Sequence, residues 1–183
     1  MTSEIQIFLL AMTPIGELRV SLPAALTVYN LDWGIAYLIS VVGNLIPVII
    51  LLRFLGPISD WLSKNFKIFQ RFFSWLFKRT RKKYNYKMEK YGHLALLVFV
   101  AIPLPITGGW TASLLAFLYS IPFKAAFLSI TLGIMIAGLI VLVVTLAGIT
   151  IEKYFGWQVL YGLLLIAGLV YFGRNITRNK KVE

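Results

Sequence analysis

The chain contains no cysteine and a single histidine, His93. Disulfides and cysteine-based metal or redox sites are therefore excluded. Acidic residues are scarce as well: 7 Asp and Glu stand against 18 Lys and Arg, a formal net charge of +11. One histidine and few scattered acids offer no metal-ligand spacing, no nucleophile–base pair and no phosphate-binding loop. The sequence predicts no catalytic residue, no metal and no cofactor, and a protein that is not an enzyme.

Apolar residues are abundant: 59% of 183 residues are hydrophobic and the mean hydropathy is +0.82. Soluble domains lie nearer ~45–50% apolar. Several apolar runs approach the ~20 residues that cross a bilayer. The reading is an all-α, multi-pass integral membrane protein of the cell membrane, in one domain. The N-terminus lacks a basic region and its first apolar run leads straight into Glu17, so no cleaved signal peptide is expected. The positive charge sits in two short clusters beside apolar runs, which set orientation and meet anionic lipid rather than nucleic acid.

Two stretches organise the chain. Met12-Thr-Pro-Ile-Gly-Glu-Leu-Arg-Val-Ser-Leu-Pro23 puts Pro14, Gly16, Glu17, Arg19 and Pro23 inside an apolar segment. Ala101-Ile-Pro-Leu-Pro-Ile-Thr-Gly-Gly-Trp-Thr111 does the same with Pro103, Pro105, Thr107, Gly108, Gly109, Trp110 and Thr111. Helix breakers at membrane depth free backbone groups that lipid cannot satisfy. Such backbone is tolerated where protein covers it or where it lines a wet cavity. Ionisable residues there mark a functional site by default. The two breaks are expected to face each other and to form a substrate pathway.

In order, residues 1–56 comprise a first hairpin and a spanning helix over 33–55. Asp32 is placed to cap that helix. Asn44 lies within it, as interhelical glue or as a substrate contact. Residues 57–91 form a basic amphipathic connector at the cytoplasmic interface. Its apolar face runs through Ile58, Trp61, Phe66, Phe69, Phe72, Phe73 and Leu76, and Lys78 to Lys83 follow. Residues 92–150 hold the second hairpin and a spanning helix. Residues 151–183 hold a last span and a basic tail.

Charge bears on topology. A full crossing by 92–119 would leave the basic tail outside, against the positive-inside rule. A re-entrant hairpin there returns the tail to the cytoplasm. The halves also match weakly at an offset of 90 residues: Tyr29, Trp33, Ala36, Tyr37 and Gly43 against Tyr119, Phe123, Ala126, Phe127 and Gly133. That is the pattern of an inverted-topology repeat with broken helices meeting near the midplane. It predicts an extracytoplasmic N-terminus.

Glu17-Leu-Arg-Val-Ser-Leu-Pro23 and Pro103-Leu-Pro-Ile-Thr-Gly-Gly-Trp-Thr111 together resemble the small multidrug export family, which looks like a distant branch of the DedA/VTT (SNARE-associated) superfamily. The resemblance implies paired re-entrant hairpins, each followed by a transmembrane helix. For DedA-type members it also implies movement of lipids such as polyprenyl phosphates, often linked to the proton gradient. DedA proteins carry acids in one hairpin and arginines in the later one. Here Glu17 and Arg19 share the first break and the second is uncharged.

Glu17 and Arg19 are two apart, so a regular helix would turn them about 200° from each other. They meet only on irregular backbone. As a pair they could simply lock the hairpin. As a site, Arg19 offers a planar fork for a phosphate and a desolvated Glu17 could hold a proton. Thr107 and Thr111 add hydroxyls, and Gly108-Gly109 would let backbone approach a ligand. Trp110 suits packing, a gate or an interface anchor. Pro14, Gly16, Pro23, Pro103 and Pro105 are read as shapers of the hairpins.

The expected function is a transporter, or a lipid flippase or scramblase, for an anionic amphiphile such as polyprenyl phosphate. Export of cationic drugs through Glu17, a channel-like anion path and a membrane scaffold are the alternatives. Membrane lipids are the expected partners, and a homodimer would shield the hairpins from lipid.

Overall fold

The computed structural model describes residues 2–81, 86–104 and 107–150, with backbone alone for residues 77, 79–81 and 86–90. The expected last span and basic tail, Lys82 and Lys83 of the 78–83 run, and Pro105 lie outside the described residues. Packing divides the chain into a unit of residues 1–142 and a second of 143–183. All contacts given below lie within the first.

Every described element is helical. α1 spans Ser3–Met12 and α2 spans Glu17–Thr27, joined by the turn at Thr13–Gly16. α3 runs from Trp33 to Asn65 and α4 from Lys67 to Arg81. α5 spans Tyr86–Ala101 and α6 Gly109–Leu118. α7 spans Phe123–Thr150. Among the described residues, α3 and α7 are the two helices long and apolar enough to cross a membrane.

α1 and α2 form an antiparallel hairpin against α3. The Tyr29 hydroxyl, just past α2, donates to Gln6 near the start of α1. α5 and α6 form a second hairpin, with Gly92 beside Ile121. α3 and α7 run antiparallel. Near the start of α3, Tyr37 donates through its hydroxyl to the Met135 carbonyl at 3.0 Å. Near its far end, Gly56 to Asp60 share a cavity wall with Ser120 to Phe123. The hairpins therefore approach from opposite ends of the long pair. The second tip, at Gly109, reaches Asn44 and Val48 of α3 and Ile134 of α7. Asn44 is eleven residues into α3, about 17 Å along it.

The 90-residue offset has geometric counterparts. Asn30 and Ser120 are left-handed, with φ of 50° and 51°, and each ends the turn before a long helix. α3 begins at Trp33 and α7 at Phe123. Gly43 faces Phe8 and Ala11 of α1, and Gly133 faces Leu97 and Val100 of α5. Asp32 caps α3 as expected, accepting from the Gly34 amide at 2.9 Å.

Beside an apolar core that includes Ile7, Leu22 and Ile134, the fold buries polar residues and exposes large apolar ones. Ser21, Ser40, Asn44, Ser113 and Glu17 are buried, whereas Leu38, Phe54, Leu128 and Leu139 are more than half exposed. Small residues fill the interfaces: Ala11, Ala25, Ala36, Ala112, Ala116 and Ala126 are fully buried. Close approach through small residues is how helices associate in lipid. A Cβ on Gly43 would lie 2.7 Å from the Phe8 carbonyl oxygen and 2.9 Å from the Ala11 Cβ. Gly43→Ala is expected to cost about 2 kcal/mol through overpacking. Gly56, with nothing within 4 Å of such a Cβ, should instead gain up to ~1 kcal/mol on change to Ala. Thermal unfolding in detergent measures both.

Two boundary expectations are corrected. α3 does not stop near residue 55 but continues through Gly56 and Pro57 to Asn65. The connector over 57–91 is thus the end of α3, then α4 and the first turn of α5, with Phe66 extended between the first two. α4 does leave Ile68, Phe69, Phe72 and Trp75 exposed beside Lys67, Arg71 and Lys78. Pro23 is not at the break: it lies inside α2, where Thr27 donates to its carbonyl.

Candidate functional site

The first tip is built by Thr13. Its hydroxyl donates to the Leu10 carbonyl at 2.8 Å and accepts from the Gly16 amide at 2.9 Å. A side chain on Gly16 would strike the Leu10 carbonyl oxygen, so the turn needs glycine there. The next residue, Glu17, opens α2 with φ of 28°. Left-handed backbone at a residue with a Cβ costs roughly 1–2 kcal/mol. The positive φ sets how the chain from the tip enters α2; Glu17 and Arg19, both long side chains in the first turn of α2, reach each other across it. Arg19 Nη1 lies 3.4 Å from Glu17 Oε2, with the two side chains 20% and 10% exposed.

The second tip is held by Thr107, whose hydroxyl lies 2.8 Å from the Ile102 and Leu104 carbonyls. Pro103 sits in the turn and Gly108 precedes α6. Gly108 gives α6 no side-chain cap. The cap comes from the other hairpin: the Glu17 carboxylate accepts from the Trp110 backbone amide. A carboxylate at a helix N-terminus satisfies a free donor and opposes the helix dipole.

The exchange is reciprocal. Trp110 Nε1 donates to the Met12 carbonyl at the end of α1, at 3.3 Å. Arg19 Nη2 donates to Thr107 Oγ1 at 2.9 Å. Each break thus satisfies backbone or side-chain groups of the other. Trp110→Phe should keep the packing and lose one hydrogen bond, lowering stability by about 1 kcal/mol. Thermal unfolding compared with wild type measures it.

Against the expected site, the structure brings together Glu17, Arg19, Thr107, Gly108, Gly109 and Trp110. Of these, Glu17, Arg19 and Trp110 line a cavity of about 480 Å³ together with Thr111, Pro14, Ile15, Val20 and Pro103. Two roles change. Gly108 does not offer open backbone to a ligand, because the Glu17 carboxylate occupies the place of its missing side chain. Gly109 is taken up by Val48 and Asn44 of α3 in the same way. Thr13 and Asn44 join the site. In the sequence Thr13 was read only as part of the first break, and Asn44 as interhelical glue or a substrate contact. A cavity of about 500 Å³ at the other end of α6 has one ionisable wall residue, the exposed Asp60.

Residues 17–140 match the family model described as "Putative small multi-drug export protein". That stretch runs from Glu17 through α2, α3, α4 and the second hairpin into α7. The chain belongs to this family. No curated protein and no solved structure matches it. For this small multi-drug export family member, the matched region begins at the first charged residue of the site and contains every partner named above except Leu10, Met12, Thr13, Pro14, Ile15 and Gly16.

Proposed function

We propose that the protein carries an amphipathic anion of the polyprenyl-phosphate class across the membrane, as a transporter, flippase or scramblase, with the head group passing between the hairpin tips. Arg19 carries the reading. Its guanidinium has five N–H donors. One serves Glu17 and one serves Thr107, so each terminal nitrogen keeps a further N–H. The guanidinium lines a cavity whose other walls are largely apolar. Donors on two adjacent nitrogens suit two phosphate oxygens, and the apolar walls suit a chain. Glu17 balances the charge of Arg19, and the start of α6 adds positive field.

In this reading both hairpins are re-entrant. α1, α2 and α6, at 10 or 11 residues, are about 15–17 Å long, roughly half of a ~30 Å hydrocarbon core. The antiparallel α3 and α7 and the matched features at 90 residues support an inverted repeat. The basic α4 faces the cytoplasm and the N-terminus the other side. Kinship with the DedA/VTT superfamily belongs to the same proposal, with Glu17 as the carrier of a coupled proton.

The family's description favours a second reading, export of cationic compounds. That reading needs Glu17 as the ligand, yet its carboxylate is engaged by Arg19 and the Trp110 amide. Liposomes containing the protein separate the two. A fluorescent short-chain polyprenyl phosphate, its neutral alcohol and a lipophilic cation are offered in turn. Movement of the phosphate alone supports the proposal. Movement of the cation alone, abolished by Glu17→Gln, replaces it with the second reading.

A further inference from the structure

Behind the Glu17–Arg19 pair lies a second, much smaller space of about 10 Å³, between the pair, Gly108, Gly109 and Asn44 of α3. Two buried polar atoms of its lining residues have no partner among the described residues: Arg19 Nε and Asn44 Oδ1. Asn44 is 3% exposed. One of these atoms is a donor and the other an acceptor. Leaving a buried polar atom unpaired is unfavourable, because it has lost its water without gaining a partner. The volume is at the lower limit for one water, about 10–15 Å³.

We infer that this space is an internal water site, and that its water ties Asn44 to the Arg19–Glu17 pair. The water oxygen accepts from Arg19 Nε–H. Its two hydrogens go to Asn44 Oδ1 and to the Glu17 carboxylate. Two acceptors and one donor match what a single water offers. A sodium ion fits less well, because the guanidinium that lines the site brings a positive charge and donors only. The arrangement makes Asn44 a positioning residue. Through the water it fixes the inner edge of the guanidinium, while Glu17 and Thr107 fix one N–H on each terminal nitrogen. The remaining two N–H groups are then held in one orientation along the large cavity.

The test needs no substrate. The full chain, with ¹⁵N-labelled arginine side chains, is studied by NMR in detergent, and Arg19 Nε–H is assigned with Arg19→Lys. The expected result is a slowly exchanging Hε with a cross-peak to a long-lived water, lost in Asn44→Leu. Asn44→Ser, which keeps an acceptor and needs no extra room, should retain it. Absence of the cross-peak in the wild type overturns the inference whatever the variants do. A shift of Hε that titrates with sodium and not with choline overturns it in favour of a cation site.

A second arm rests on the proposed anion transport. Asn44→Leu should weaken short-chain polyprenyl phosphate binding about 10-fold and leave the neutral alcohol unaffected. Unchanged phosphate binding with the water signal lost overturns the positioning role. If the wild type itself does not distinguish phosphate from alcohol, the anion reading fails, and the resonance result alone decides the water site.

Discussion

Arg19→Ala is expected to weaken binding of a short-chain polyprenyl phosphate roughly 100-fold, the worth of a charge-assisted pair of hydrogen bonds at ~1.5–3 kcal/mol. Binding of the neutral alcohol should be unchanged. The alanine also leaves Glu17 with only the Trp110 amide, so Arg19→Lys is the sharper variant. Lysine restores a charge beside Glu17 but brings a point charge in place of the fork. It should recover the fold and only part of the phosphate affinity. Titration of purified protein with both ligands, alongside thermal unfolding, separates recognition from stability. Full phosphate affinity in Arg19→Ala would remove the physical basis of the anion reading.

The largest stability effect is expected at Glu17. Its side chain caps α6, pairs with Arg19 and fills the space above Gly108. Glu17→Ala removes all three and strands a partly buried guanidinium, a loss of the order of 3–5 kcal/mol. Glu17→Gln keeps an acceptor for the Trp110 amide and should cost less than half as much. The backbone adds a second signature. At φ of 28° glycine is relaxed and alanine is not, so Glu17→Gly should be more stable than Glu17→Ala by about 1 kcal/mol. Thermal unfolding of the three variants ranks them Gln, Gly, Ala from most to least stable. Equal stability of Gly and Ala would mean that the backbone at position 17 carries no strain.

The positions of both tips were legible in the sequence because Pro14, Gly16, Pro103 and Gly108 break helices for local reasons. The start of α3 was legible through Asp32, again a local effect. The run of α3 past Pro57 was not. A proline usually argues for a helix end, and the continuation to Asn65 carries α3 onward to its packing against α4 and α6. Pro23 misled in the same direction. The site itself was half legible. The charges of Glu17 and Arg19 stood out against the apolar background, but their contact within the first turn of α2 is not what a spacing of two predicts. The cross-caps join residues 88 to 98 positions apart, so no local pattern encodes them. Asn44 was legible as glue or a contact within its span, but not its buried place beside Gly109 of the second tip.

The central claim is that the two tips meet and that substrate passes between them. The absence of cysteine makes it directly testable. Ile15→Cys and Thr111→Cys place one thiol on each tip, both on the wall of the large cavity. A short bifunctional thiol reagent should join them in liposomes and stop transport, and a cleavable version should restore it on reduction. Ile15→Cys with Asp60→Cys, at the cavity at the other end of α6, should not join. Failure of the first pair to cross-link, or full transport with the link in place, would contradict the account.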